Sequence, residues 1–194
     1  MSYHIYTTEG LILKRANFGE ANILLSVLTR ELGLIMASAQ SARLSVSKLR
    51  GHLSDYSLVT LSCVKGKGGW RITSVSIADN FYFNYPTYIH ATLANVSQLL
   101  LKMITGESPH AEVFDTVLSG FSFLSTLEEK DVQNFETILV LRILFELGYV
   151  AKAPETEGFL SAATIWNSEI LENAAKNRLL LVGLINKALK ESQM

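Results

Sequence analysis

The stretch YSLVTLSCVKGKGGWRITSVSI, residues 56–77, decides the fold. Its first part, Tyr56–Val64, alternates like a strand. Its two faces are Leu58, Thr60, Ser62 and Val64 on one side and Val59, Leu61 and Cys63 on the other. Lys65–Gly69 contains three glycines in five residues, so it predicts a hairpin tip, because glycine accepts the backbone angles of tight turns. Trp70–Ile77 then returns as the partner strand.

Three more strands are predicted upstream of this hairpin. Turn residues separate them, and they cover Tyr3–Lys14, Ala21–Leu28 and Leu34–Ala39. The polar, basic stretch Ser41–Ser54 follows the third strand and is predicted to be a loop or a short helix. Five strands with one long excursion between the third and the fourth are the layout of an OB-fold barrel.

The chain changes to helical periodicity after Asp79. Apolar residues recur at helical spacing, and they predict helices over residues 87–105, from Ser108-Pro109 onward, from Asp131 to Gly148, over 161–175 and over 177–191. The Asp131–Gly148 segment is apolar nearly all round, which predicts that it forms the centre of a helical bundle.

These patterns predict an α+β protein with two domains. Residues 1–80 are expected to form the N-terminal five-stranded OB-fold barrel, and residues 81–194 an all-α helical bundle domain. Within the bundle we expect core helices over 81–150, a linker over 151–160 and C-terminal helices over 161–194.

The composition supports a well-packed protein with an uneven charge. Of 194 residues, 48% are apolar and 18% are charged, which is enough apolar material for a sizeable core. The net charge of −1 hides an asymmetry: residues 1–80 carry nine Lys and Arg against five acids, and the remainder carries eight against thirteen. The basic N-terminal part is therefore the part suited to a polyanion.

Several classes of function find no support in the sequence. The four histidines are scattered without metal-ligand spacing, and no nucleophile, base and stabiliser converge, so we expect neither an enzyme nor a cofactor. The single cysteine, Cys63, excludes an internal disulfide and a cysteine-based zinc site and is predicted to be a small core residue. With no signal-peptide pattern and no bilayer-length apolar stretch, the sequence predicts a cytoplasmic protein.

The basic residues of the N-terminal part are concentrated in two predicted loops. The excursion contributes Arg43, Lys48 and Arg50, and the hairpin contributes Lys65, Lys67 and Arg71. In an OB-fold these loops are neighbours in the region where oligonucleotides lie, and flexible cations beside small residues suit a phosphate backbone. Trp70 and Tyr56 are predicted to stack on bases, with a role in the barrel core as the alternative for each.

Five sequence segments follow one another in a fixed order, and they read YTTEGLILK at 6–14, FGEAN at 18–22, LTRELGL at 28–34, ARLSVSKLR at 42–50 and DYSLV at 55–59. A sixth, FELGY at 145–149, ends the long apolar helix. Together these segments resemble the bacterial recombination mediator family RecO over about residues 3–152.

The resemblance implies an OB-fold on a helical domain and a non-enzymatic role in DNA repair. Members of the family bind single- and double-stranded DNA, anneal complementary strands, and work with RecR and single-strand-binding protein to load RecA. For this chain the resemblance implies DNA contacts at Arg43, Lys48 and Arg50, a contact with the C-terminal tail of single-strand-binding protein, and association with the nucleoid.

The chain departs from the family after Tyr149. Many members carry a four-cysteine zinc module there, whereas this chain has Ala151–Glu155 and no further cysteine. It therefore resembles a short form without the zinc-binding cysteines, and no metal is expected.

Two alternative functions remain open at this point. The protein is an adaptor if its basic loops meet an acidic partner, such as the hydrophobic-ended tail of single-strand-binding protein. It is an RNA-binding OB module if the same cations hold RNA phosphates, because the electrostatics are similar.

Overall fold

The N-terminal part of the protein is a closed five-stranded barrel. The computed structural model describes residues 4–160 and 166–192. The strands are β1 (Ile5–Phe18), β2 (Asn22–Thr29), β3 (Gly33–Ala39), β4 (Ser57–Gly66) and β5 (Gly69–Asn80). Their order around the barrel is β1-β2-β3-β5-β4, and all neighbours are antiparallel except β3 and β5. This arrangement confirms the predicted OB-fold and the predicted α+β class.

Strand β1 closes the barrel because it pairs with two different strands. Its first half, from Ile5 to Leu11, pairs with β4, and its second half, from Gly10 to Phe18, pairs with β2. Gly10 stands where the two ladders overlap, and a Cβ at this position would lie 2.6 Å from Cγ1 of Val27. The barrel wall therefore has no room for a side chain at Gly10.

The core of the barrel is one cluster of buried apolar side chains. Of the two faces predicted for β4, the one with Val59, Leu61 and Cys63 points inward. The buried cluster to which it belongs consists of Ile12, Ile23, Leu25, Val27, Ile35, Ala37, Ala39, Ala42, Leu53, Val59, Leu61, Cys63, Trp70 and Ile72. Cys63 is fully buried, as predicted for a small core residue. Ala42 and Leu53 come from the excursion, so that segment is packed onto the core by apolar side chains at both of its ends.

The excursion between β3 and β4 is fixed to the barrel by its backbone. Ser41 and Tyr56 both have left-handed backbone angles, with φ of 53° and 58°. The N–H of Ser41 donates to Oδ1 of Asn22 at 2.9 Å, and the N–H of Tyr56 donates to the carbonyl of Ile12 at 2.7 Å. A single turn of 3-10 helix, Arg50–His52, is the short helix predicted for this stretch.

The remainder of the chain is helical. Its helices are α1 (His90–Met103), α2 (Ala111–Leu124), α3 (Val132–Glu146), α4 (Glu157–Leu160), α5 (Ser168–Lys176) and α6 (Arg178–Glu191). Within the ranges 4–160 and 166–192, no helix has both the length and the apolar character that crossing a membrane requires.

The chain divides into two compact units. The barrel unit comprises Met1–Thr87 and Ser97–Ala111, and the helical unit comprises Tyr88–Val96 and Glu112–Met194. The predicted barrel residues fall inside the barrel unit, and the division into two domains at residue 80 stays a prediction.

Helix α3 is the centre of the helical unit, as its sequence predicts. It packs against α4, α5 and α6, and its fully buried side chains are Phe135, Ile138, Leu139, Leu141, Ile143 and Leu144. Trp166 packs against two helices, because its ring lies 4.8 Å from the ring of Phe135 in α3 and 5.7 Å from that of Phe123 in α2, measured between centroids.

Three helix boundaries differ from the prediction. Helix α2 begins at Ala111 rather than at Ser108-Pro109, because the backbone of Ser108 packs against Gly33 and a residue before proline favours extended angles. The predicted linker 151–160 contains α4 at its end, where Phe159 and Leu160 are buried. Of the helix predicted over 161–175, residues 161–165 lie outside the described part, and α5 begins at Ser168.

Candidate nucleic-acid interface

The strand register gathers three loops at one end of the barrel. Ile23, near the start of β2, pairs with Ala39 at the end of β3, and Ser38 pairs with Arg71 near the start of β5. The β1–β2 turn, the beginning of the excursion and the β4–β5 hairpin therefore lie at the same end. We call this end the basic mouth and define it by residues 19–21, 40–43 and 65–71.

Arg43 joins the excursion to the β1–β2 turn. Its backbone N–H donates to the carbonyl of Ala21 at 2.9 Å, and its Nη1 donates to the carbonyl of Gly19 at 3.2 Å. The side chain remains exposed. A guanidinium carries five N–H donors, so the single bond to Gly19 holds the group in place and leaves donors for a phosphate.

The hairpin presents two more cations at the basic mouth. Strands β4 and β5 extend to Gly66 and from Gly69, so Lys67-Gly68 is the two-residue loop at its tip. Gly69 has φ +98°, an angle that favours glycine. Arg71 is exposed and lines a cavity of about 220 Å³ together with Ser38, Gln40, Val64 and glycines 66, 68 and 69. Three glycines beside an arginine let an anion come close to the backbone.

Lys65 differs from the other hairpin cations because it already has a carboxylate partner. Its Nζ lies 2.5 Å from Oε2 of Glu107 and 5.2 Å from the centroid of the Trp70 ring. The hydrogen bond from Lys65 lowers the pKa of the Glu107 carboxyl. The sequence could not show this pairing, since the two residues are far apart along the chain, and we leave Lys65 out of the phosphate contacts proposed below.

Trp70 is a core residue rather than a stacking platform. It is 5% exposed and belongs to the apolar interior, where its ring meets that of Tyr6 edge to face at 5.2 Å. The period of two along β5 places Trp70 and Ile72 on the same inward face. This alternation was the signal in the sequence that favoured the core alternative.

Tyr56 lies away from the hairpin. It precedes β4 and the hairpin follows β4, so the ten residues of that strand separate them, about 30 Å along an extended chain. Tyr56 instead lines a second cavity of about 360 Å³ with Arg15, Ser54, Asp55, Tyr82 and Phe83. Arg15, Tyr82 and Phe83 are not among the predicted site residues, although the aromatic run FYFNY at 81–85 marks this place in the sequence.

The middle of the excursion carries the remaining predicted cations. Lys48 is exposed, and Arg50 lies in the 3-10 helix with its side chain outside the described part of the structure. Two apolar side chains are exposed beside them, Leu44 at 47% and Val46 at 85%. The excursion thus presents cations and apolar side chains together.

The described residues contain no cluster of metal ligands, and their cysteine is buried. Over residues 4–160 and 166–192, no three or more His, Cys, Asp or Glu side chains are grouped so as to hold a metal ion. Burial raises the pKa of the Cys63 thiol to about 11, so the thiol stays protonated near neutral pH.

The closed five-stranded barrel, with Arg43 and Lys67 exposed on loops at one end, places the protein in the OB-fold class. The family model for the N-terminal domain of recombination protein O matches residues 1–81. This match over residues 1–81 confirms the resemblance of the sequence to the RecO family.

Curated relatives agree with this assignment. The chain is 32% identical over 129 residues to the DNA repair protein RecO of Dehalococcoides mccartyi, 27% over 145 residues to that of Heliobacterium modesticaldum, and 27% over 149 residues to that of Thermodesulfovibrio yellowstonii. These alignments cover 66%, 75% and 75% of this chain and 49%, 52% and 58% of the relatives. The chain thus spans about half the length of the curated relatives that it matches.

Proposed function

We propose that this protein is a non-enzymatic, DNA-binding recombination mediator that acts in DNA repair. In this proposal the basic mouth binds the phosphate backbone of single- and double-stranded DNA without reading its sequence. Similarity to the RecO family supports the repair role, because the relatives cited above carry the name DNA repair protein.

The observation that carries the proposal is the convergence of exposed cations at one end of the barrel. Arg43, Lys67 and Arg71 come from two separate loops, and the register of β2, β3 and β5 brings those loops together. Such loops flank the surface on which OB-folds bind oligonucleotides. Lys48 and Arg50 extend the set along the excursion.

The proposal predicts a steep dependence of DNA affinity on salt. If Arg43, Lys48, Arg50, Lys67 and Arg71 each neutralise one phosphate of a single strand, the logarithm of the affinity falls against the logarithm of the salt concentration with a slope of about −3.5. Fluorescence anisotropy with labelled single- and double-stranded oligonucleotides, over a salt series, measures this slope.

The test is a charge reversal at the basic mouth. The variant Arg43→Glu/Lys67→Glu/Arg71→Glu is expected to bind DNA more weakly and to reduce the magnitude of the single-strand slope by about 2, because three phosphate contacts are lost. The matched control reverses three exposed lysines of the helical unit, Lys130, Lys152 and Lys187. An equal change of slope in both triple variants would show that only net charge matters and would overturn the assignment of the site.

The mediator role extends the DNA contact to partner proteins. We propose that the protein anneals complementary strands and works with RecR and single-strand-binding protein to load RecA, in the cytoplasm at the nucleoid. A strand-annealing assay with complementary oligonucleotides coated by single-strand-binding protein tests this step. Annealing by the wild type and its loss in the basic-mouth variant support the role.

An adaptor function is the second candidate, and the exposed apolar side chains of the excursion favour it. Leu44 and Val46 lie between Arg43 and Lys48, which suits an acidic peptide with a hydrophobic end, such as the tail of single-strand-binding protein. The variant Leu44→Ser/Val46→Ser separates the two functions. If the excursion binds the peptide, this variant loses peptide binding and keeps DNA binding. If the excursion contacts only DNA, the variant and the wild type do not differ in peptide binding.

A further inference from the structure

The barrel unit carries a second exposed surface away from the hairpin, and it is aromatic. We call it the aromatic patch and define it as Tyr56, Tyr82 and Phe83 with the adjoining Arg15. Tyr82 is 43% exposed and Phe83 is 70% exposed. The ring centroids of Tyr56 and Tyr82 lie 6.3 Å apart, and those of Tyr82 and Phe83 lie 5.2 Å apart at nearly a right angle.

One buried side chain fixes the backbone of the two residues with the most exposed rings. Oδ1 of Asn80 accepts hydrogen bonds from the N–H groups of Tyr82 and Phe83 at 3.1 and 2.9 Å, and its Nδ2 donates to Oγ of Ser57 at 2.8 Å. Asn80 itself is 7% exposed. The backbone that carries the rings is therefore fixed before any ligand arrives, which lowers the entropy cost of binding.

Tyr56 is held in a backbone conformation that glycine would adopt more easily. Its φ is +58°, while its N–H donates to the carbonyl of Ile12 at 2.7 Å and its carbonyl accepts from the N–H of Phe81 at 3.0 Å. Both backbone groups are thus engaged with the barrel. An aromatic side chain at a position suited to glycine indicates that the ring has a use there.

The two charged residues beside the aromatic patch have opposite signs. Arg15 and Asp55 both line the cavity, and the backbone N–H of Arg15 donates to Oδ1 of Asp55 at 2.6 Å. A carboxylate at this place disfavours a phosphate group. The surface suits instead a flat, uncharged ring that stacks on the aromatic side chains, with the guanidinium of Arg15 beside it.

We propose that the aromatic patch is a base-stacking subsite that accepts unpaired bases of a single strand. The proposal rests on the DNA-binding function proposed above and adds a preference that the basic mouth lacks. A base within a duplex has both faces covered by its neighbours, so only an unpaired base can stack on Tyr82 or Phe83. The patch therefore makes the protein favour single strands, while the basic mouth holds both kinds of DNA.

The test compares three probes of equal length, each of about 20 nucleotides or base pairs: an oligo-dT strand, an abasic strand with the same backbone, and a duplex. The variant Tyr82→Ala/Phe83→Ala is expected to bind oligo-dT about tenfold more weakly and to bind the abasic strand and the duplex like the wild type. Unchanged affinity for oligo-dT would overturn the proposal.

Further variants distinguish stacking from loss of structure. Tyr56→Gly removes a ring while suiting the left-handed backbone, so it is expected to weaken oligo-dT binding without lowering the unfolding temperature. Tyr149→Ala, which removes a ring of 40% exposure from the helical unit, is the matched control. Equal weakening in Tyr149→Ala would contradict the assignment to this patch.

A leucine variant decides between a nucleic acid and a protein ligand. Tyr82→Leu/Phe83→Leu keeps an apolar surface and removes the π faces, so it is expected to bind oligo-dT as weakly as the alanine variant. Full oligo-dT affinity in the leucine variant would overturn base stacking and favour an apolar protein partner.

Failure of this proposal and failure of the proposed function give different results. If the basic-mouth variant changes the salt slope and the patch variants bind all three probes normally, the DNA-binding function stands and the stacking subsite is wrong. If the patch variants weaken oligo-dT and the basic-mouth variant keeps the wild-type slope, the subsite stands and the basic mouth is wrong.

Discussion

The two units of the molecule place their charged groups differently. The core of the barrel is formed by apolar side chains, and Arg43, Lys67 and Arg71 lie exposed at its surface. The helical unit buries Arg142 at 5% exposure, where Nε donates to the carbonyl of Phe159 at 2.7 Å and the guanidinium carbon lies 4.1 Å from the centroid of the Trp166 ring. Charges on the barrel can therefore be exchanged at little cost in stability, whereas the buried arginine is part of what holds the helices together.

The largest loss of stability is expected from substitution of Gly33 in the barrel unit. Gly33 has φ +71°, and a Cβ there would lie 2.3 Å from the carbonyl oxygen of Ser108. Gly33→Ala should lower the free energy of unfolding by about 3 kcal/mol or more. The new Cβ would collide with the backbone of Ser108, and the backbone at residue 33 has an angle that alanine adopts only with strain. Urea unfolding followed by Trp70 fluorescence in a Trp166→Phe background measures this loss.

The matched control for Gly33→Ala is Gly68→Ala at the hairpin tip. A Cβ at Gly68 meets nothing within 4 Å. This variant should change the free energy of unfolding by less than about 1 kcal/mol. Equal losses in the two variants would contradict the close packing of Gly33 on Ser108.

The next effect is expected in the core of the helical unit. Arg142→Ala removes the donor to Phe159 and the cation above Trp166, and it should cost about 2–3 kcal/mol because a buried carbonyl loses its partner. Urea unfolding followed by Trp166 fluorescence in a Trp70→Phe background reports on this unit.

Lys187→Ala serves as the comparison for Arg142, since the Lys187 side chain is 73% exposed. It should cost less than about 0.5 kcal/mol. A loss in Arg142→Ala as small as that in Lys187→Ala would show that the buried arginine does not stabilise the helices.

The smallest expected effect is a pH dependence of the stability caused by Glu146. Burial raises the pKa of the Glu146 carboxyl to about 7, above its ordinary 4.5, while the hydroxyl of Thr116 donates to Oε1 at 2.5 Å. The folded state then holds a proton that the unfolded state has released, so this carboxyl makes stability fall as pH rises from about 4.5 to about 7. The effect stays below about 1 kcal/mol because Glu146 as a residue is only half-buried.

The variant Glu146→Gln tests this pH effect. It keeps an acceptor for Thr116 and removes the titration, so its unfolding temperature should exceed that of the wild type at pH 8 and match it at pH 5. Thermal unfolding by circular dichroism, with Glu172→Gln as the exposed control, measures both. A constant difference across this pH range would show that Glu146 does not titrate there.

The barrel was predictable from the sequence because local rules decide it. Alternation over Tyr56–Val64 separates the two faces of β4, and three glycines in five residues mark the hairpin. The same alternation along β5 favours a core position for Trp70. For this residue the strand pattern predicts burial better than the aromatic residue type predicts base stacking.

The rest of the candidate site depends on contacts between distant segments, which local rules do not contain. The pairing of Lys65 with Glu107 and the packing of Ser108 on Gly33 both join residues far apart along the chain. The neighbours of Tyr56 are another such case, since β1 supplies Arg15 and the end of β5 leads to Tyr82. Grouping residues into a site therefore required the register of the strands.

The two pairings of strand β1 also form at different times during synthesis on the ribosome. Its second half finds β2 as soon as the next segment of chain is made, but Ile5 must wait for Val64. Until β4 emerges, the first half of β1 offers an unpaired edge to any other extended chain nearby. Synthesis of this protein thus includes an interval of exposure to aggregation, which ends for β1 when β4 pairs with it. The barrel itself closes only after β5 has paired with both β3 and β4.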